Sequence, residues 1–155
     1  MGRRRLAIVA SKGTLDMAYP PLILSSTAAA MGWEVTIFFT FYGLDIINRK
    51  KLRKLKVAPV GNPAMPVPVP NLLGAIPGMT AMATNMMKSW FTKARIPSIE
   101  EMLAIARENG VEFIACTTTM GVMGVKESDI IEGATMAGAA AFLDYAAEAS
   151  VSLFV

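Results

Sequence analysis

The chain is 155 residues long, a length that suits one domain around one core, and its formal net charge is only +3. Hydrophobic residues make up 54% and charged residues 17%, with mean hydropathy +0.46, against about 45–50% and about 25% in an average soluble domain. A single cysteine excludes a disulfide-stapled secreted domain, and the absence of histidine removes the usual general base, the Cys–His and Ser–His pairs and the commonest metal ligand.

The N-terminus "MGRRRLAIVAS" is charged, but its apolar run is only a strand long, so it lacks the core of a signal peptide and a cytoplasmic protein is expected. Leu6 to Ala10 are continuously apolar, as in a buried strand. "SKGTLD" follows as a loop. Residues 17–31 predict a helix with Asp16 as N-cap and Gly32 as its stop, provided that Pro20 and Pro21 lie in the first turn. "WEVTIFFTF" is rich in aromatic and β-branched residues and predicts the second strand.

"GLDIINRKKLRKLK" predicts a short helix with a strongly basic end, and "VAPV" a further short strand. From Val57 to Met87 no residue carries a charge, which raises the question of a membrane span. Pro59, Pro63, Pro66, Pro68, Pro70 and Pro77 break the first two thirds, and the remainder is too short to cross a bilayer. The segment predicts a Pro-rich loop leading into an apolar, Met-rich helix, an insertion of about residues 57–93 in one domain over residues 1–155. Met79, Met82, Met86 and Met87 fit packing or an oligomer interface better than a Cu(I) site.

"PSIEEMLAIARENG" has clear helix punctuation: Ser98 as N-cap, Glu101 at the capping-box position and Gly110 as the stop. "VEFIAC" predicts a strand ending at Cys116, and "TTTMGVMG" a Gly-containing turn. "KESDIIEGATMAGAAAFLDYAAEA" predicts loop and turn followed by a small-residue helix, with "SVSLFV" as a closing strand. Glu127 and Asp129 are expected to be loop residues.

Strands near 4–10, 34–40, 112–116 and 150–155, apolar on both faces and alternating with helices, imply a flavodoxin-like α/β domain. Its sheet is mostly parallel, with helices on both faces. Right-handed crossovers then bring every strand's C-terminal end to one edge, where such sheets bind ligands.

Cys116 falls on that edge. Free cysteine is also among the most buried residue types, so both a reactive and a structural thiol are open. Without histidine, activation must come from backbone amides, a helix N-terminus or a nearby cation. The candidates are Thr117, Met120 and Gly121 in the following turn, and Lys12 after the first strand. No metal site and no cofactor motif of the GxxxxGK[ST], GxGxxG or GxSxG kind occurs. Residues 1–97 hold 13 Lys/Arg and 3 Asp/Glu, residues 98–155 hold 2 and 9. The run Arg49–Lys56 is therefore either a solvated face or a steering patch for anions or an acidic partner. Nucleic acid is not expected, because aromatic interleaving is missing and the C-terminal half is acidic.

"CTTTMGVMG" after the "EFIA" strand, with "PGMTAMATNMMK", "PSIEEMLAIARENGV" and "GATMAGAAAFLDYAAEASVSLFV", resembles the DsrE/DsrF-like sulfur-trafficking family over nearly the whole chain. The likeness is to the DsrE-type branch with a Met-rich inserted helix, sometimes labelled peroxiredoxin-like. No Pro and Thr precede Cys116 in the peroxiredoxin manner, so peroxidase activity is not expected. The resemblance implies a flavodoxin-like fold, a homo-oligomer and a sulfur carrier or sulfurtransferase holding sulfane sulfur on Cys116 as persulfide or thiosulfonate. It also implies carrier partners of TusA or rhodanese type and small sulfur anions such as thiosulfate or tetrathionate. Members often carry additional cysteines; here the second thiol must come from a partner. The alternative is a non-catalytic oligomeric scaffold or binding subunit with a structural Cys116.

Overall fold

Five short strands form one parallel sheet in the computed structural model, which describes residues 3–58 and 71–155. They are β1 (Arg5–Ala10), β2 (Glu34–Phe39), β3 (Glu112–Cys116), β4 (Ala134–Ala137) and β5 (Val151–Phe154), in the order β4-β3-β2-β1-β5. The first four lie side by side in chain order. β5 then returns to the far side of β1. The domain is thus α/β and flavodoxin-like, as its sequence implies.

Because the first four strands step in one direction, right-handed crossovers put their connections on one face. There α1 (Leu15–Ala30), α2 (Met79–Lys93), α3 (Ile99–Glu108) and α4 (Thr117–Met123) pack over Leu6, Ile8, Val35, Ile37, Phe39 and Phe113, the larger core. Among the described residues only α5 (Ala139–Ala147) covers the other face, over Ala7, Phe38, Ile114 and Cys116. Phe142 is its one buried residue, and that ring stacks on Phe38 at 5.0 Å.

Several local expectations change. Thr14, not Asp16, is the N-cap of α1, and Pro20 and Pro21 stand in its second turn. Each removes an amide that a carbonyl four residues earlier would accept from. The helix persists because Leu15, Ala18, Tyr19, Leu22, Ser25 and Ala28 are buried along one side. The expected basic helix is instead two 3-10 turns, Phe41–Ile47 and Leu52–Lys54. Between them Asn48 is extended and bridges to Ile130. Val57 and Ala58 are not in a strand; the rest of "VAPV" and the Pro-rich loop lie outside the described residues.

Residues 134–137, expected in a loop, form edge strand β4, and the expected turn "TTTMGVM" is helix α4. α3 follows its sequence closely. The Ser98 hydroxyl accepts from the Glu101 amide, and the Glu101 carboxylate accepts from the Ser98 amide at 2.7 Å.

The basic run is largely occupied at home. Arg49 Nε donates to the Ile130 carbonyl at 2.9 Å, Lys50 pairs with Asp129 at 2.6 Å, Lys51 with Asp45 at 2.7 Å and Arg53 with Glu100 at 2.6 Å. The basic first half of the chain and its acidic second half are partners within the domain.

Candidate functional site

β3 delivers Cys116 to the C-terminal edge of the sheet, where it serves as N-cap of α4 with φ −66° and ψ 111°. Alternation along β3 decides which way it faces. Phe113 and Ala115 enter the larger core, whereas Ile114 and Cys116 point to the α5 side. The sulfur-bearing residue is 5% exposed, among Ala7, Phe38, Ile114 and Phe142, with Ala137 its partner on β4. The expected surface position is therefore not what the single chain shows. α5 covers this face of the sheet, and its Phe142, stacked on Phe38, belongs to the same small buried cluster as Cys116.

Four groups govern the thiol. Burial pushes its pKa up, but the Thr119 hydroxyl and amide, the Thr40 hydroxyl and the Thr118 amide together hold it below its ordinary value. The amides belong to the second and third residues of α4, the positions from which an N-cap side chain accepts. The Cys116 side chain makes no capping hydrogen bond, but an anion at this position would face these amides. The Thr40 and Thr119 hydroxyl oxygens are 3.0 Å apart, and Thr119 Oγ1 also accepts from the Phe41 amide at 3.1 Å.

Thr40 reaches this place because β2 ends one residue before it, alongside β3. The following turn is pressed onto the β1 end: a Cβ on Gly43 would overlap the Ala10 carbonyl, and one on Gly13 the Tyr42 carbonyl. Two glycines thus allow two loops at the sheet edge to touch through their backbones. Phe41 and Tyr42, between them, are 59% and 66% exposed.

The other expected site residues divide. Thr117 is exposed at the start of α4, with its Oγ1 3.8 Å from where a Gly138 Cβ would stand. Met120 is buried in the larger core, on the opposite side from the sulfur. Gly121 is exposed in mid-helix with open space around it, so it supplies no turn. Lys12 is exposed beyond β2, about two strand spacings from β3. It lines a separate hollow of about 450 Å³ with Thr14, Asp16, Tyr42 and Asp45, and no cation is among the groups that shift the thiol. Thr40 and Thr119 are the site residues that sequence reasoning missed. Position was the available signal, since Thr40 sits one residue past the strand that neighbours β3.

Among the described residues no cluster of three or more acidic or cysteine side chains could hold a metal ion. The site's chemistry is that of one buried thiol whose pKa neutral donors hold below its ordinary value.

A family model for the DsrE/DsrF/DrsH-like family matches residues 2–154. The chain is 45% identical to the sulfur carrier protein DsrE2 of Allochromatium vinosum, over the full length of both. It is 32% identical to the uncharacterized protein YrkE of Bacillus subtilis, covering 98% of this chain and 97% of that one. Among solved structures, YchN of E. coli superposes with a TM-score of 0.55 at 11% identity, covering 98% of this chain and 99% of its own. MTH1491 of Methanobacterium thermoautotrophicum gives 0.50 at 11% identity, covering 97% and 98%. At such identities the two structures speak to the fold alone.

Proposed function

This chain belongs to the DsrE/DsrF/DrsH-like family, and from that premise we propose that it is a sulfur carrier whose Cys116 holds sulfane sulfur. The supporting observation is the lowered thiol pKa in a site with no histidine: the Thr119 and Thr40 hydroxyls and two α4 amides favour the thiolate over the cost of burial. A relative 45% identical over its whole length bears the name of a sulfur carrier.

The chemistry needs one thiol on each side. The Cys116 thiolate attacks the outer sulfur of a donor persulfide. The donor's S–S bond breaks as a new S–S bond forms on Cys116, and the donor leaves as a thiolate. A partner thiolate then takes the outer sulfur from Cys116, which leaves as a thiolate held by the same four donors. Each step exchanges one S–S bond for another, with no net oxidation and no cofactor. With tetrathionate as donor, the Cys116 thiolate attacks a sulfane sulfur, thiosulfate leaves, and the –S–SO3⁻ group stays on Cys116; a partner thiolate then attacks that outer sulfane sulfur and Cys116 leaves as thiolate.

The second thiol comes from a carrier protein of TusA or rhodanese type, and the setting is the cytoplasm. The protein works as a homo-oligomer, supported by exposed Leu143 and Phe154 on and beside α5, at 61% and 77%. Access to the sulfur requires α5 to move, and it is held by buried Phe142, by Tyr145, whose hydroxyl donates to the Leu6 carbonyl at 3.4 Å, and by the Arg5–Glu148 ion pair at its end.

The 5% exposure of Cys116 favours a second reading, an oligomeric scaffold with a structural cysteine. Intact mass after incubation with polysulfide, thiosulfate or tetrathionate separates the two. A gain of one sulfur or thiosulfonate group, reversed by reductant and absent from Cys116→Ser, supports the carrier. An unmodified mass with every donor supports the scaffold.

A further inference from the structure

A cleft of about 840 Å³ opens between α2 and α3, over the larger core and away from the small cluster that holds Cys116. Small-molecule sites are apolar recesses of this size that carry a few placed polar groups. Leu15, Tyr19, Leu55, Phe91 and Ile96 give the cleft an apolar floor, with the Tyr19 and Phe91 rings 4.4 Å apart. The 3-10 turn Leu52–Lys54 stands at a third side, fixed to α3 by the Arg53–Glu100 pair at 2.8 and 2.6 Å.

The two long walls carry opposite charge. Lys88 and Arg95 line the cleft from α2 and the residues after it, and Glu101 and Glu108, seven residues apart on one side of α3, line it opposite. No ion pair joins these walls among the described residues. Glu101 is engaged by Ser98 in the capping box, which leaves Lys88, Arg95 and Glu108 without partners there. Arg95 is also held in an uncommon backbone. It follows the Ala94 C-cap of α2 with φ +55°, and the Ile96 amide donates to the Phe91 carbonyl at 2.9 Å. Glycine is the usual residue in such a helix ending. Arginine brings the cleft a cation that glycine would not.

We propose that the cleft binds a free α-amino acid with an aryl or branched alkyl side chain. The side chain rests on the apolar floor, Lys88 and Arg95 take the carboxylate, and Glu108 takes the ammonium. Charge complementarity selects this class. A simple anion would meet the Glu108 carboxylate, and a simple cation would meet Lys88 and Arg95. A zwitterion answers both walls, and the floor favours one with a large apolar body. This site is separate from the thiol, so sulfur loading on Cys116 does not depend on it.

The test titrates the full chain with L-phenylalanine and L-leucine by isothermal calorimetry, and both should bind at one site per chain. Phenylalanine methyl ester lacks the carboxylate and N-acetylphenylalanine lacks the ammonium, so each should bind about tenfold more weakly than phenylalanine. Lys88→Gln with Arg95→Gln, and separately Glu108→Gln, should each weaken phenylalanine binding by about tenfold. Alkylation of Cys116 should be unchanged in all of them. Arg95→Gly separates binding from folding: glycine suits the left-handed backbone, so Tm should hold or rise while binding weakens. A fall in Tm together with lost binding would make Arg95 a structural residue and overturn its role. The proposal is also overturned if neither amino acid binds, or if the ester and the acetyl derivative bind as well as phenylalanine. Binding that survives loss of Lys88 and Arg95 overturns it too, as does a mass by light scattering that falls in Arg95→Gly, which would place the cleft between copies of the chain.

Discussion

The Phe41 amide donates to the Thr119 hydroxyl oxygen at 3.1 Å, and Phe41 adopts a left-handed φ of +47° in doing so. For a bulky aromatic residue that conformation is a strained one, costing about 1–3 kcal/mol. With one lone pair of Thr119 Oγ1 occupied by the amide, the hydroxyl proton turns to its other neighbours, the Thr40 hydroxyl and the Cys116 sulfur. Thr119→Val should therefore raise the thiol pKa. Because the folded-state value lies below the ordinary one, the alkylation midpoint should move up in pH, slowing reaction near neutrality by about tenfold. Thr119→Ser should restore it. A midpoint that stays put in the Val variant removes the hydroxyl from the site.

Cys116→Ser and Cys116→Ala should both fold with unchanged mass by light scattering, yet neither should load sulfur. The Ala variant gives up a small buried side chain and should lose about 1 kcal/mol of stability. Transfer at the wild-type rate by either variant, followed by intact mass and gel assay, would refute a carrier role for Cys116.

Phe142→Ala tests α5 as the cover. The ring is buried and stacked on Phe38, so its loss should cost about 3 kcal/mol in denaturant unfolding. The native protein should at the same time be alkylated faster at Cys116. Slower or unchanged alkylation would mean that the thiol opens by another route.

Gly43→Ala should damage the site from a distance. The new Cβ would overlap the Ala10 carbonyl, so the turn carrying Thr40 and Phe41 must move away from β1. Destabilisation of about 1–3 kcal/mol should accompany a rise in the thiol pKa, read from the same pH profile.

The acid limb of stability should depend on Glu101. The Ser98 amide and hydroxyl hold this carboxylate below its ordinary range. A depressed folded-state value means that its contribution is present above the unfolded pKa and is lost as pH falls through the folded one. Glu101→Gln should flatten thermal stability against pH below about 4.3, and a wild-type slope there would contradict the capping box.

How far the fold could be read in advance depended on how much each segment owes to its own residues. β1, β2 and β3 are largely apolar and rich in aromatic or β-branched residues, and α3 carries its caps at both ends, so tertiary context had nothing to override. β4 was missed because "ATMA" is short, has one β-branched residue and gains its strand character only by lying beside β3. "TTTMGVM" was read as a turn on the strength of its glycine and threonines. It is helical because Met120 and Thr119 are buried beneath it, which outweighs weak propensity. In the candidate site, the place of Cys116 at the end of β3 was legible from the apolar strand that delivers it. The cation expected from Lys12 was not realised, because β2 intervenes. Its place is taken by Thr40, whose importance depends on a register that no local pattern encodes.

β5 closes the sheet by pairing with β1, Leu6 against Val151, across almost the full length of the polypeptide. Closing so long a loop comes late and is paid in entropy, so the β5 edge should form after the β1–β3 framework. α5 leads directly into β5, and the two are thinly buried, which makes them one cooperative unit of low local stability. Amide hydrogen exchange should find these protons leaving first, well ahead of those in β1 and β2. The lifetime of a sulfur atom stored beneath α5 would then be set by how often the last-formed segment of the chain comes undone.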